Sequence, residues 1–136
     1  MSDTPRADTR PLSPHLQVWR FHATMAASIT HRITGSALYF GTFLIAAWLL
    51  TLATGSSDIY AIMQAVIDSW FGKIVLYLWA VAVLFHFANG IRHLLWDAGR
   101  GFDLKAAHRS AILVLLATAG LTIVTWIAAY AVMGRL

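Results

Sequence analysis

The stretch from Ala111 to Met133, AILVLLATAGLTIVTWIAAYAVM, contains no charged residue. At ~1.5 Å per residue a helix of that length crosses a hydrocarbon core of roughly 30 Å. Two further runs behave in the same way. Ile33 to Ala53 is also free of charge, and Phe71 to Trp96 holds only Lys73 near its start and Arg92 near its end. Three such runs predict an all-α integral membrane protein with three transmembrane helices, up-down-up, over about 24–53, 71–96 and 111–133.

Composition supports the same class. Of the 136 residues 59% are hydrophobic and 12% charged, about half the roughly 25% charged fraction of an ordinary soluble domain. All six acids are Asp, although soluble helices favour Glu on their wet faces. A soluble chain of this size has no core large enough to hide three such runs.

Positive charge sets the expected orientation. Arg6, Arg10, Arg20 and Arg32 precede the first run, and Arg92, Arg100, Lys105 and Arg109 surround the second connection. The first connection, Thr54 to Trp70, holds Asp58 and Asp68 and no Lys or Arg. The N-terminus and the second loop are therefore expected to be cytoplasmic and the C-terminus periplasmic. The net charge of +4 reads as this asymmetry, and nothing in the chain resembles a nucleic-acid module. The absence of cysteine excludes disulfides, Cys-ligated iron–sulfur clusters and covalently attached c-type haem.

The chain reads as a single membrane domain over 1–136. Residues 1–14, with three prolines, are expected to form an irregular tail. His15 to Thr30 mixes aromatics with His and Arg; it is expected to lie in the membrane interface and turn into the first helix near Thr24. The first uncleaved span, rather than a signal peptide, is expected to direct insertion. Gly55-Ser56-Ser57 and Asp97 to Gly101 read as loops, with Gly99 a helix stop.

Polar side chains inside apolar runs mark candidate sites, because hydrocarbon penalises them unless they face protein or a cofactor. Thr118, Thr122 and Thr125 of the third run can bond back to their own helix and read as packing. Arg92 and Asp97 lie near a helix end and read as snorkelling interface anchors. His86, near mid-span, cannot snorkel. A hydrogen bond to a neighbouring helix, a proton pathway with Asn89 and His93, or an axial bond to haem iron would each account for it, with Gly90 leaving room for a flat macrocycle. His86 and His93 stand about 10 Å apart along one helix, too far to share one iron with metal–nitrogen bonds of about 2 Å. A second axial ligand would therefore come from another chain. At the entry to the first run, Ser28 and Arg32 share a helix face. They can donate hydrogen bonds to a quinone carbonyl, or serve only as helix-start residue and charge anchor.

The segment Ser28-Ile29-Thr30-His31-Arg32-Ile33-Thr34-Gly35 resembles the S-x-x-H-R-x-[ST]-G pattern of the cytochrome b556 subunit family of succinate dehydrogenase. His86 to Gly99, HFANGIRHLLWDAG, resembles that family's H-x-x-x-G-[ILV]-R-H-x-x-x-D signature, and Arg10-Pro11-Leu12 its N-terminal element. Ala23 stands where the family tends to place a larger residue. The similarity extends over about 10–135. It implies a membrane anchor subunit of succinate:quinone oxidoreductase (respiratory complex II) in a bacterial cytoplasmic membrane. The chain would take part in electron transfer from succinate to ubiquinone without itself oxidising succinate. The implied partners are a second membrane anchor, an iron–sulfur subunit, a flavoprotein subunit and the lipid bilayer. The implied cofactor is haem b shared with the second anchor. Residue by residue, the resemblance makes His86 the axial haem ligand and Ser28 and Arg32 the quinone-site residues, with Leu16, Phe21 and Ile29 as apolar walls. His31, Arg32 and His93 become candidates for the haem propionates. Two other readings stay open: a small transporter or proton-conducting subunit using His86, Asn89 and His93, and a haem-free structural anchor.

Overall fold

The structure is a computed structural model that describes residues 19–55 and 57–134. Leu16, the tail over 1–14 and the Arg10-Pro11-Leu12 element lie outside the described residues. Four helices follow in order: α1 (Ala23–Ala53), α2 (Ser57–Asp68), α3 (Trp70–Asp97) and α4 (Leu104–Val132). Three of them, α1, α3 and α4, are long and apolar enough to cross a membrane. No strand occurs among the described residues.

The helix α2 is a departure from the expected loop. Its apolar residues Ile59, Ile62, Met63, Val66 and Ile67 follow the i, i+3, i+4, i+7, i+8 spacing of an amphipathic helix. Asp58 in the first turn complements the helix dipole. At 12 residues it is too short to span, so a reading built on spanning length passes over it. Ile59, Ile62 and Val66 are exposed, and α2 buries none of its residues. One residue, Ser69, separates α2 from α3. Its hydroxyl accepts the Gly72 backbone N–H at 3.0 Å and so caps the new helix.

The other helix ends are also set by local chemistry. Gly99, at φ 76°, takes the left-handed conformation that stops α3. Its N–H reaches the Trp96 carbonyl at 2.8 Å while the Arg100 N–H reaches Leu95 at 3.0 Å, the paired bonds of a Schellman motif. Asp103 caps α4 by accepting the Ala106 N–H at 2.8 Å. The helix α4 therefore begins at Leu104, ahead of the apolar run, and carries Lys105, His108 and Arg109 in its first turns.

Packing within the chain is sparse. The most apolar windows of α1, α3 and α4 are only 6%, 11% and 22% buried, so most of their apolar surface is left for lipid or other subunits. Most of the buried residues lie along two seams. The α3–α4 seam includes Phe85, Asn89 and Arg92 of α3 and Ala111, Val114, Thr118 and Thr122 of α4, and Ala27 of α1 joins Phe85, Ala111 and Val114 in one apolar cluster. Thr118 and Thr122 bond back to Val114 and Thr118, each at 2.8 Å, which satisfies their hydroxyls inside their own helix. Arg92 does not snorkel, contrary to expectation, and is only 3% exposed. Its Nε donates to the Ser110 hydroxyl at 2.9 Å and its other nitrogens to the Ala107 carbonyl and the Asn89 side-chain oxygen at 3.2 and 3.4 Å. Its guanidinium also lies 4.0 Å from the centre of the Trp96 ring, a cation–π contact. Neutral acceptors, two from α4 and one from α3 itself, thus take the place of water.

Between α1 and α3 the seam depends on a small residue. Gly41 is buried, and a Cβ there would overlap the Trp79 ring. Glycine leaves the space that the Trp79 indole occupies against α1, the small-residue packing common in membranes. Gly41→Ala should destabilise the folded chain by about 1–3 kcal/mol, the usual range for overpacking. Thermal unfolding in detergent measures this, and an unchanged midpoint would show that the Trp79 contact does not hold α1 to α3.

Candidate functional site

The same α1–α3 seam continues past Gly41 toward the start of α1 and the end of α3. Because the helices run antiparallel, Thr34, Gly35 and then His31 meet His86 and His93 in turn. Thr34 and Gly35 lie three and four residues beyond His31, on one face of the helix.

His86 is half-buried and touches α1 in three ways. Its ring stacks on that of His31, with centroids 3.9 Å apart and planes 7° from parallel. Its Nδ1 lies 3.2 Å from the Thr34 hydroxyl oxygen. Its Cε1 would stand 3.0 Å from a Cβ added at Gly35, a tight approach that only the absence of a side chain leaves comfortable. His31 is also 5.0 Å from the ring of His93. His93 in turn meets Trp96 edge to face at 5.2 Å.

Three imidazoles thus lie in a row, His86–His31–His93. His86 and His31 meet through their ring faces and His93 is tilted 41° to His31, whereas metal-binding lone pairs lie in the ring plane. Among the described residues, no group of three His, Cys, Asp or Glu side chains is arranged to hold a bare metal ion. The row can hold one flat group by a single in-plane nitrogen and offer N–H donors near its edge. The Nδ1 of His31 is buried without a hydrogen-bond partner, and a Cβ at Gly90 would meet nothing within 4 Å.

The remaining sequence candidates lie farther out. Ser28 is half-buried one turn before His31, while Arg32 is exposed; successive residues on a helix point about 100° apart. Ile29 and Phe21 are 48% and 61% exposed, so neither is packed as a wall within the chain. Phe21 meets Trp19 edge to face at 6.3 Å in the extended segment before α1. Asn89 is fully buried; it faces Arg92 through its oxygen, and its amide nitrogen has no partner. Thr34 and Gly35 were not singled out by spacing, although both lie within the first signature. Their significance depends on which α3 residue crosses them, and only the packed helices reveal that.

Comparison with known proteins identifies the family. Residues 6–125 match the family described as succinate dehydrogenase/fumarate reductase transmembrane subunit. The chain is 40% identical over 127 residues to the succinate dehydrogenase cytochrome b556 subunit of Paracoccus denitrificans, covering 93% of this chain and 96% of the relative. It is 35% identical over 118 residues to the cytochrome b556 subunit of Rickettsia felis, covering 87% and 91% respectively. The mitochondrial cytochrome b560 subunit of Bos taurus is 37% identical over 113 residues, 80% of this chain and 65% of that protein. A match over most of the chain shows that the protein belongs to the family of succinate dehydrogenase/fumarate reductase transmembrane subunits.

Proposed function

We propose that the chain is the haem b-binding anchor of a succinate dehydrogenase, contributing to the ubiquinone-reduction site and tethering the flavoprotein and iron–sulfur subunits. The observation that carries this reading is the seat of His86. An imidazole well inside the long apolar helix α3 is seated against Thr34, His31 and Gly35. The bond to Thr34 uses one ring nitrogen and leaves the other for a ligand.

The residues present fit a haem. His86 supplies an axial nitrogen, Gly90 leaves an open flank, and the unpartnered Nδ1 of His31 is available to a propionate. His93 and Arg32 are proposed as further propionate donors. Bound there, haem b supplies a one-electron redox centre whose potential follows its axial ligands. The second axial ligand would come from a second membrane anchor, because two ligands on one iron must stand on opposite sides of it, whereas His31 lies stacked on the His86 ring face.

Ser28 and Arg32 are proposed to donate hydrogen bonds to a ubiquinone carbonyl. A guanidinium stabilises negative charge as it develops on that oxygen during reduction. Leu16, Phe21 and Ile29 would flank the ring. The large exposed apolar surface and the exposed Arg32 leave room for a quinone between this chain and its partners. The positive-inside distribution supports a cytoplasmic N-terminus and a periplasmic C-terminus in the bacterial inner membrane. It places Ser28 and Arg32 on the side where the soluble subunits dock, and α2, with its two aspartates, on the outer side.

A proton relay through His86, Asn89 and His93 has less support. His86 meets His31 through the ring faces rather than the edge nitrogens, and Asn89 is turned to Arg92 in the α3–α4 seam.

Replacing His86 by Ala should abolish or strongly alter the b-type haem spectrum of the detergent-purified complex; an unchanged spectrum would contradict the ligand assignment. Ser28→Ala or Arg32→Ala should lower quinone reduction while succinate oxidation with a soluble dye persists. Equal loss of both activities would contradict a role for these residues in the quinone site.

A further inference from the structure

The hydroxyl of Thr34 stands at the meeting of three polar atoms. Its oxygen is 2.8 Å from the Thr30 carbonyl oxygen, 3.0 Å from the His31 carbonyl oxygen and 3.2 Å from Nδ1 of His86. A hydroxyl has one proton and two lone pairs. Two carbonyl oxygens cannot approach a hydroxyl oxygen this closely by lone pairs alone, because all three atoms carry negative charge. The Thr34 proton must therefore lie toward Thr30 and His31, the back-bonded arrangement that helical threonine commonly adopts. The side of the oxygen facing α3 is then an acceptor. The only way for Nδ1 of His86 to bond to it is as an N–H donor.

From this geometry we propose that Thr34 is a positioning residue for His86. It fixes the imidazole as the tautomer protonated at Nδ1 and leaves the lone pair on Nε2 for haem iron. The proposal rests on the reading of His86 as an axial ligand and adds the residue that prepares it. A neutral imidazole has two tautomers, and the hydrogen bond made by one nitrogen decides which nitrogen is free to ligate. In water the wrong form interconverts freely; in hydrocarbon it would turn a bare Nδ1 toward the lone pair of Thr34. The acceptor also makes the ring a stronger electron donor, which favours the oxidised metal. Gly35 and His31 complete the arrangement, one admitting the ring edge and the other covering a ring face.

The test compares Thr34→Val, nearly the same shape without the oxygen, with Thr34→Ser, which keeps it. The whole complex is purified and its haem per assembled complex and haem midpoint potential are measured. The valine variant should hold haem about 10–100-fold more weakly, the usual effect of losing such a partner. Its remaining haem should show a raised midpoint potential. The serine variant should keep both properties. Wild-type haem content and potential in Thr34→Val would overturn the proposal. So would equal loss in Thr34→Ser, since the missing methyl would then be the cause. Should the valine variant fail to assemble, Thr34→Ala removes the oxygen without replacing the methyl bulk, and is expected to behave as the valine variant. Failure of both to assemble, with serine assembling, would make Thr34 a folding residue and overturn the role proposed here. A wild-type complex without haem would instead overturn the axial-ligand reading, a result visible before any variant is made.

Discussion

The contact between His86 and α1 is the constraint around which the rest of the chain is arranged. An imidazole at mid-span has no water to satisfy it, so a neighbouring helix must supply a polar atom and a close approach together. Thr34 supplies the atom, Gly35 the space and His31 a ring face. Such an approach requires α1 and α3 to cross closely. Gly41 under the Trp79 ring allows this two turns away. The signature segment on α1 therefore joins two tasks on consecutive residues: His31, Thr34 and Gly35 turn inward to α3, while Arg32 faces outward.

The α3–α4 seam solves the same problem for a cation. Burying a guanidinium in a low-dielectric region is costly unless its N–H groups are satisfied. Here the acceptors are Ser110, the Ala107 carbonyl and Asn89, with the Trp96 ring against one face. Lipid does not drive helices together through the hydrophobic effect, so small residues and polar bonds must specify the pairing. Ala111, Thr118 and Thr122 on α4 provide the small surface, and Arg92 fixes the register. With α3 held on both sides, its histidines present a defined edge to whatever lies outside the chain.

The three long helices were legible because length and hydropathy suffice to identify them, with no knowledge of tertiary contacts. His86 was legible for a related reason: a lone polar residue far from either end of an apolar run demands explanation. The helix α2 was overlooked although Ile59, Ile62, Met63, Val66 and Ile67 carry the helical spacing, since it is far shorter than a span. Arg92 is not legible in the same way: distance from a helix end suggests snorkelling, whereas two of its three acceptors, Ser110 and the Ala107 carbonyl, come from another helix after a sharp turn at Gly99. Thr34 and Gly35 lay inside a recognised pattern, yet their roles arise only where α1 crosses α3. Spacing along one helix shows which residues share a face. It does not show what that face will meet.

The central claim is that His86 presents Nε2 to a haem iron because Thr34 holds Nδ1. A side-chain-resolution density map of the intact complex tests it most directly. The account predicts a macrocycle whose iron is bonded to Nε2 of His86, with Nδ1 within hydrogen-bond distance of the Thr34 hydroxyl. Iron bonded to His31 or His93 instead, or no macrocycle beside His86, would contradict it.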